Sequence, residues 1–537
     1  MKKLPIGLQG FKNIIENDYL YVDKTRQIFE LINQGSLYFL SRPRRFGKSL
    51  LISTLTEIFK GNKELFKGLY IAEQTDYDWK PYPVLQFNFA KIETKPSDLE
   101  DSLKRQIRLL GEEFNIKITA KNLMDQVEDL VKEIAEQHGP VVFLVDEYDK
   151  PIIDFLTEKK KANANRKMLR KFFSPLKDLE AKGHLRFLFV TGVSKFSKVS
   201  IFSDLNNLTD LTIDPLSIDV VGITQQELLH NFKDYIHHSA KELAMPEADL
   251  LVGIKLWYDG YSYDGKTFLY NPFSLLNFFR KSHFGNFWFA TGTPTFLVNI
   301  IRDNQVGLKE LESKEVPETF FDKFTVKHLD IHGLLFQTGY LTIKSTYREQ
   351  YQHFYQLGYP NEEVRRSFIH NLLEAFTYQS STIVGNSLVK MQMALGKGQV
   401  EEFVNQLEVL LSDISYHLLP KSKKQPTSQD EDQNFAAWEG YFQTIVYLIC
   451  AFLNLSVQTE ITKHKGRLDL LASTEDFLYL MEFKLDETAE NAIAQIKSRQ
   501  YADAYKNSPK KIILVGISFS KAARNVESWV AEEWVER

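Results

Sequence analysis

Apolar residues fall in two rhythms along this chain. Up to about residue 215, short continuous apolar runs alternate with longer stretches of helical period: SLYFLS (36–41), YPVLQFNFA (82–90), PVVFLVDE (140–147), LRFLFVTGVS (185–194) and LTDLTID (208–214). A strand buried on both faces needs apolar residues at consecutive positions, so these runs predict a parallel sheet covered by helices on either side. From about 220 to 425 helical patterns prevail, broken by the aromatic loop WYDGYSYDGKTFLYNP and by one β-like piece, LLFQTGYLTIKS. Asn361 is placed to cap a helix whose first turn carries Glu362 and Glu363, acids that suit its positive end. The stretch PKSKKQPTSQDEDQN (420–434) has no apolar residue beyond its prolines and predicts an exposed linker. A helix–strand–strand–helix–strand pattern follows it. These shifts divide the chain into 1–220, 221–425, with a winged-helix-like piece near 330–375, and 426–537.

Composition narrows the class. The chain has 537 residues, 43% of them hydrophobic and 25% charged, enough to bury several cores. Its net charge of −4 excludes a globally basic nucleic-acid coat but not a local basic surface. The single cysteine, Cys450, allows no internal disulfide and no cysteine-based metal cluster, which fits a reducing cytoplasm. The start, MKKLPIGLQG, has no apolar core of a signal peptide. The longest apolar stretch, YFQTIVYLICAFLNL, is short and interrupted by Gln443, so a buried helix is expected rather than a membrane span.

The run RPRRFGKS (42–49) follows the first predicted strand and opens a helical pattern. In a phosphate-binding loop, backbone N–H groups at a helix N-terminus surround phosphate oxygens, a lysine neutralises them, and a Ser or Thr holds Mg²⁺. Gly47, Lys48 and Ser49 stand in those positions, whereas the usual first glycine is Arg42. Pro43 favours an extended residue before it, a conformation any side chain adopts, so Arg42 need not be glycine. About a hundred residues on, VVFLVDEYDKP ends an apolar strand in Asp146-Glu147. Asp146 there would hold the magnesium shell and Glu147 would be the base for attacking water. Beyond the next strand, Thr191 or Ser194 is placed to sense the outer phosphate. Arg44 and Arg45, which with Phe46 lead into Gly47, add charge near phosphate or form a solvated basic surface. Asp23 and Gly35 read as the start and stop of a helix preceding the loop. Arg280 and Arg302 are candidates, by charge alone, to complete the site.

A second constellation lies in GRLDLLASTEDFLYLMEFKL (466–485). Alternate residues of a strand share a face, so Glu482 and Lys484 project together. A turn near 475–476 sets Asp469 within a residue or two of Glu482 on the partner strand. Carboxylates that close repel unless a divalent cation lies between them, and oxygen ligands suit Mg²⁺ or Mn²⁺. With Lys484 beside them, the group is suited to phosphodiester hydrolysis. Glu439 on the preceding helix could add an acid, and Gln495 and Tyr501 follow on the next helix. Elsewhere His237, His238 and His464 lack metal-ligand spacing. The aromatics Trp257, Tyr258, Tyr261 and Tyr263 read as packing, and Lys421, Lys423 and Lys424 as a solvated linker.

Taken together, YVDKT, RPRRFGKS, FLVDEYDKP, VTGVSKFS, YDGYSYDG with YNPFSLLNFF, ATGTPTFL, LLFQTGYLTI, LGYPNEEVR and EFK resemble AAA-ATPase-like proteins with a C-terminal PD-(D/E)XK nuclease-superfamily domain. The resemblance implies an α/β P-loop domain, a helical lid and connector, and a restriction-endonuclease-like α/β domain. It assigns the nuclease residues to Asp469, Glu482 and Lys484, with Glu439 as the helix acid, although Leu468 stands where the name motif has proline. It treats Arg42 as the family's own form of the loop. The expected partners are ATP, Mg²⁺ and DNA, with no membrane and with scope for oligomerisation. Two other functions stay open: a nucleotide-switched module that binds without cutting, and an ATPase acting on a protein partner.

Overall fold

The computed structural model describes residues 1–195, 201, 202, 205, 207–289, 297, 298, 301, 302, 313–322, 330–414, 428–463 and 466–535. They form two compact units, Met1–Thr293 with Lys309–Val364, and Pro294–Leu308 with Arg365–Arg537.

The first unit is built on five strands: β1 (Leu37–Ser41), β2 (Val84–Asn88), β3 (Val141–Asp146), β4 (Leu185–Gly192) and β5 (Thr209–Asp210). All neighbours are parallel, in the order β2-β3-β4-β1-β5. The strand β4 therefore lies between the loop strand β1 and the acid strand β3. Every residue of β1, β3 and most of β4 is buried, as continuous apolar runs require. The C-terminal ends of β1, β3 and β4 converge, which brings positions 42–49, 146–149 and 191–194 to one edge, where ligands bind in open α/β sheets.

Beyond the sheet, β6 (Ile223–Thr224) pairs with β7 (Leu269–Tyr270), and helices around them share a core of Leu228, Phe232, Leu250, Ile254, Leu275 and Phe278. The aromatic loop packs as expected: Tyr258, Tyr261 and Tyr263 are buried, and Tyr261 meets Phe46 and Trp288 edge to face. Residues 334–338, the first part of the stretch expected to be β-like, belong instead to a helix, Ile331–Thr338. Asp330 caps it by accepting from the His332 N–H, and Gly339 ends it at φ 88°. A short apolar run does not separate strand from helix by periodicity, and these two caps decide it. The end of that stretch, Thr342–Ser345, is β as expected and opens β9 (Thr342–Glu349), which joins β8 (Lys314–Pro317) and β10 (Gln352–Gly358), two strands the sequence pattern does not predict, in the antiparallel order β8-β10-β9. Asn361 does cap the following helix, accepting from the Val364 N–H at 3.1 Å.

The second unit carries β11 (Ser456–Lys463), β12 (Gly466–Ser473), β13 (Phe477–Leu485), β14 (Lys511–Ser520) and β15 (Asn525–Glu533), in that spatial order. Only β13 and β14 are parallel, connected through the helix Ala489–Ser498. The expected pattern thus lacked β11 and β15. Residues 428–434 belong to the helix Ser428–Phe452 rather than to a linker, while Lys421, Lys423, Lys424 and His464 lie outside the described residues. Cys450 is buried in that helix. Among the described residues no helix is long and apolar enough to cross a membrane.

Candidate active sites

The phosphate-type loop turns through Gly47, whose φ of 100° favours glycine, and the helix Lys48–Phe59 starts at once behind it. The first N–H groups of such a helix have no intrahelical partner and point out of its end. Ser49 Oγ donates to Asp146 Oδ2 at 2.6 Å, and Thr191 Oγ1 donates to Asp146 Oδ1 at 2.7 Å. The ends of β3 and β4 and the first turn of the helix after β1 are thereby tied at one carboxylate. Lys48 is buried and its Nζ donates to the carbonyls of Arg42 and Pro43, each at 2.8 Å. Burial lowers its pKa, opposed by Asp146, Asp149 and Glu147. Glu147 sits at φ 54°, and burial together with Asp146 holds its carboxyl above the ordinary range.

Asp149, a residue the sequence reading passed over, completes this edge. Its Oδ2 accepts from the N–H groups of Val193 and Ser194 and from Ser194 Oγ, at 3.0, 2.6 and 2.8 Å. Ser194 is therefore bonded to Asp149, and Thr191 is the hydroxyl beside Asp146. A cavity of about 460 Å³ opens over the loop, lined by Arg44, Arg45, Lys48, Ser49, Glu147 and Asp149 among others. Beside it a smaller, mainly apolar cavity of about 100 Å³ is lined by Tyr21, Val22, Leu50, Val221, Ile223 and Leu276.

The loop's far side is clamped. Arg42 is buried, and its guanidinium donates to the carbonyls of Ser41, Thr212 and Ser217 at 2.9, 2.8 and 2.9 Å. It also stacks over the Tyr263 ring at 3.7 Å. Trp288 Nε1 donates to the Arg44 carbonyl at 2.9 Å, while the Trp288 N–H donates to Glu363 at 2.7 Å. A Cβ on Gly339 would meet Pro43 at 2.6 Å, so a glycine is needed where the helix Ile331–Thr338 ends. Arg280 donates to Asn277 on its own helix, and Arg302, in the second unit, lies over the Tyr378 ring.

In the second unit the register Leu470↔Met481 to Ser473↔Leu478 continues to set Asp469 opposite Glu482. Asp469 Oδ2 accepts from the Phe483 N–H at 2.9 Å. Gln495, on the helix Ala489–Ser498, bridges the other two side chains: its Nε2 donates to Glu482 and its Oε1 accepts from Lys484 Nζ at 2.7 Å. Lys484 Nζ lies 3.6 Å from Glu482 Oε1. Glu482 is buried, its Oε2 has no hydrogen-bond partner among the described residues, and burial reinforced by Asp469 pushes its pKa up to about 7. Tyr501, also buried, stands close enough to Glu482 and Gln495 for both to shift its pKa. Glu439 is half-buried on the helix Ser428–Phe452, and the described hydrogen bonds of Glu482 and Lys484 do not include it. That helix stacks Phe442 on Phe519, which in turn meets Phe483, on the face of β13 opposite Glu482.

A family profile described as "Predicted AAA-ATPase" matches residues 5–202, and the PD-(D/E)XK nuclease superfamily profile matches 437–529. The "Uncharacterized protein in vnfD 5'region" of Azotobacter chroococcum mcd 1 is 36% identical over 536 residues, covering 99% of both chains. The chain belongs to this family of AAA-ATPase-like proteins with a C-terminal PD-(D/E)XK domain. Both profiles fall on the parts that carry the two clusters, and the parallel sheet and the C-terminal mixed sheet are the folds the resemblance implied. For this AAA-ATPase-like chain, two contributors escaped the sequence. Asp149 was visible as a third acid in VDEYDKP, two residues past Glu147. Trp288 carried no signal, since it lies 244 positions from the carbonyl it holds.

Proposed function

We propose that this chain is an ATPase that governs a metal-dependent nuclease on the same polypeptide, with DNA as the nuclease's substrate. The observation that carries the reading is the cluster of Asp469, Glu482 and Lys484, with one buried Glu482 oxygen that has no hydrogen-bond partner among the described residues. Two facing carboxylates and a free buried oxygen fit a divalent cation, and Asp469 and Glu482 would hold it. Bound Mg²⁺ or Mn²⁺ would supply Lewis acidity and a more acidic water. Lys484, fixed by Gln495, presents its ammonium to phosphate or water at the same face.

In the ATPase reading, Lys48 leaves the two loop carbonyls for the outer phosphates and the loop amides cradle them. Ser49 and Asp146 would hold the nucleotide's magnesium. Glu147, whose carboxyl burial and Asp146 make more basic, accepts the proton of attacking water. Thr191 and Ser194 hold Asp146 and Asp149 in place. The apolar cavity beside the loop suits the flat, hydrophobic faces of adenine.

The test is cleavage of labelled single- and double-stranded DNA with Mg²⁺ or Mn²⁺, with and without ATP, alongside Lys48→Ala. We expect Lys48→Ala to lower ATP turnover by at least about 100-fold and to change the ATP response of cleavage. Turnover that survives Lys48→Ala removes the loop assignment, and DNA left whole under every condition removes the nuclease.

Trp288→Phe keeps the ring packing and deletes only the N–H bonded to Arg44. Losing one hydrogen bond of about 1 kcal/mol from the loop's support is expected to raise the Kd for ATP about fivefold. Equilibrium titration with a fluorescent ATP analogue reads this. An unchanged Kd would show that the indole does not position the loop.

A further inference from the structure

The helix Lys159–Phe173, KKKANANRKMLRKFF, carries seven basic residues and no acidic one in a chain whose net charge is −4. Its inner face is ordinary: Ala162, Asn165, Leu169, Phe172 and Phe173 are buried. Asn165 pins it by donating to the carbonyls of Thr94 and Pro151, at 2.8 and 2.6 Å. The outer face presents Lys160, Ala164, Lys167 and Lys171, all exposed, at the i, i+4, i+7, i+11 spacing of one helical stripe. The small side chain of Ala164 leaves room between the first two lysines.

Stability alone does not select such a face. Arg166 with Arg170, and Lys167 with Lys171, are like charges four apart, an arrangement that weakens a helix. Among the described ion pairs of this helix, Lys161 pairs with Glu158 just outside it at 2.6 Å. The helix Leu123–His138 packed beside it is mainly acidic outward, exposing Asp125 and Glu136 against Lys132, and its Glu128 pairs with Lys182 at 3.7 Å. The stripe, beside which Lys159, Lys161 and Arg170 are also exposed, thus has a negative flank on that side. From Lys160 to Lys171 it runs about 16 Å, the length of roughly five base-pair steps.

We propose that this stripe binds the phosphate backbone of double-stranded nucleic acid, on the AAA-ATPase-like unit itself. The inference rests on the nuclease reading for its choice of DNA, and on charge complementarity and spacing for the surface. Its position adds a consequence. The helix follows β3 through a segment whose Glu147, Asp149 and Lys150 line the cavity over the loop, and Asn165 grips the Pro151 carbonyl. Backbone contact on the stripe is thus coupled by a short, bonded segment to the groups beside the phosphates.

The experiment compares the full-length chain with a triple variant, Lys160→Ala, Lys167→Ala, Lys171→Ala. Fluorescence anisotropy follows a labelled DNA duplex, and an RNA duplex of the same sequence, across a salt series. Three lost phosphate contacts are expected to lower the salt slope of log K by about 2.7 and to weaken DNA binding roughly 100-fold at 0.1 M salt. Basal ATP turnover should be unchanged and its stimulation by DNA lost. A preference for RNA would reassign the substrate while leaving the stripe in place. Equal DNA affinity and slope in variant and wild type would overturn the proposal. The two readings fail separately: intact cleavage with unchanged binding by the variant removes the stripe alone, whereas stripe-dependent binding without any cleavage removes the nuclease alone.

Discussion

Arg42→Gly, which restores the glycine usual in a phosphate loop, is expected to destabilise the first unit by about 3–5 kcal/mol. The physical case is the guanidinium's surroundings. Its two terminal nitrogens satisfy three backbone carbonyls, on Ser41, Thr212 and Ser217, and its plane covers Tyr263. Removing it leaves buried acceptors without donors, opens a cavity the size of a large side chain, and adds backbone freedom in the unfolded chain. Against this stands relief of a buried charge, for burial already lowers the Arg42 pKa. That relief is partial, because Tyr263 and Asp210 favour the cation where it is. Arg42→Lys keeps the charge but not the planar fork, so it should lose about half as much. Urea unfolding followed by tryptophan fluorescence measures both. A midpoint for Arg42→Gly equal to wild type would show that the buried charge costs as much as its bonds return, and that Arg42 is not what anchors the loop.

The same residue shows where sequence reading stops. Pro43 explained why position 42 tolerates a side chain, because local backbone preference is written in adjacent residues. What that side chain does depends on carbonyls 170 and 175 positions away, which no local pattern encodes. The sheet was legible because strands buried on both faces leave continuous apolar runs. The register that faces Asp469 with Glu482 was legible because a tight turn at 475–476 fixes it by counting. By contrast, β11 and β15 are edge strands, whose half-polar sequences SVQTEITK and NVESWVAEE lack that continuous signal. Residues 334–338 of the helix Ile331–Thr338 look β-like in sequence because their apolar run is too short for period to decide. Asp149 was in plain view but had no assigned task until the chain returned through Val193 and Ser194.

Glu482→Gln is expected to abolish DNA cleavage, by at least about 1,000-fold, and Lys484→Ala by about 100- to 10,000-fold, with ATP turnover retained in both. The carboxylate also sets a pH dependence. With its pKa pushed up to about 7, Glu482 is mostly protonated below neutrality and a cation must displace that proton. At a fixed, subsaturating Mg²⁺ concentration, cleavage should therefore rise with pH through about 7 and then level, and more Mg²⁺ should move the midpoint down. Stability runs the opposite way. A carboxyl whose folded pKa exceeds its unfolded value contributes stability that is complete below about 4.5 and lost as pH rises through about 7. Without metal, Glu482→Gln should consequently melt higher than wild type at pH 8, with the gap closing towards pH 4.5. Added Mg²⁺ should raise the wild-type melting temperature at pH 8 and leave Glu482→Gln unmoved. Differential scanning calorimetry reads the stability arm without requiring any cleavage, so a fold that holds the metal but does not cut is told apart from one that does neither. Cleavage persisting in both variants would place the chemistry elsewhere, and a flat pH profile between 6 and 8 would mean that Glu482 is ionised throughout and lies outside the metal site.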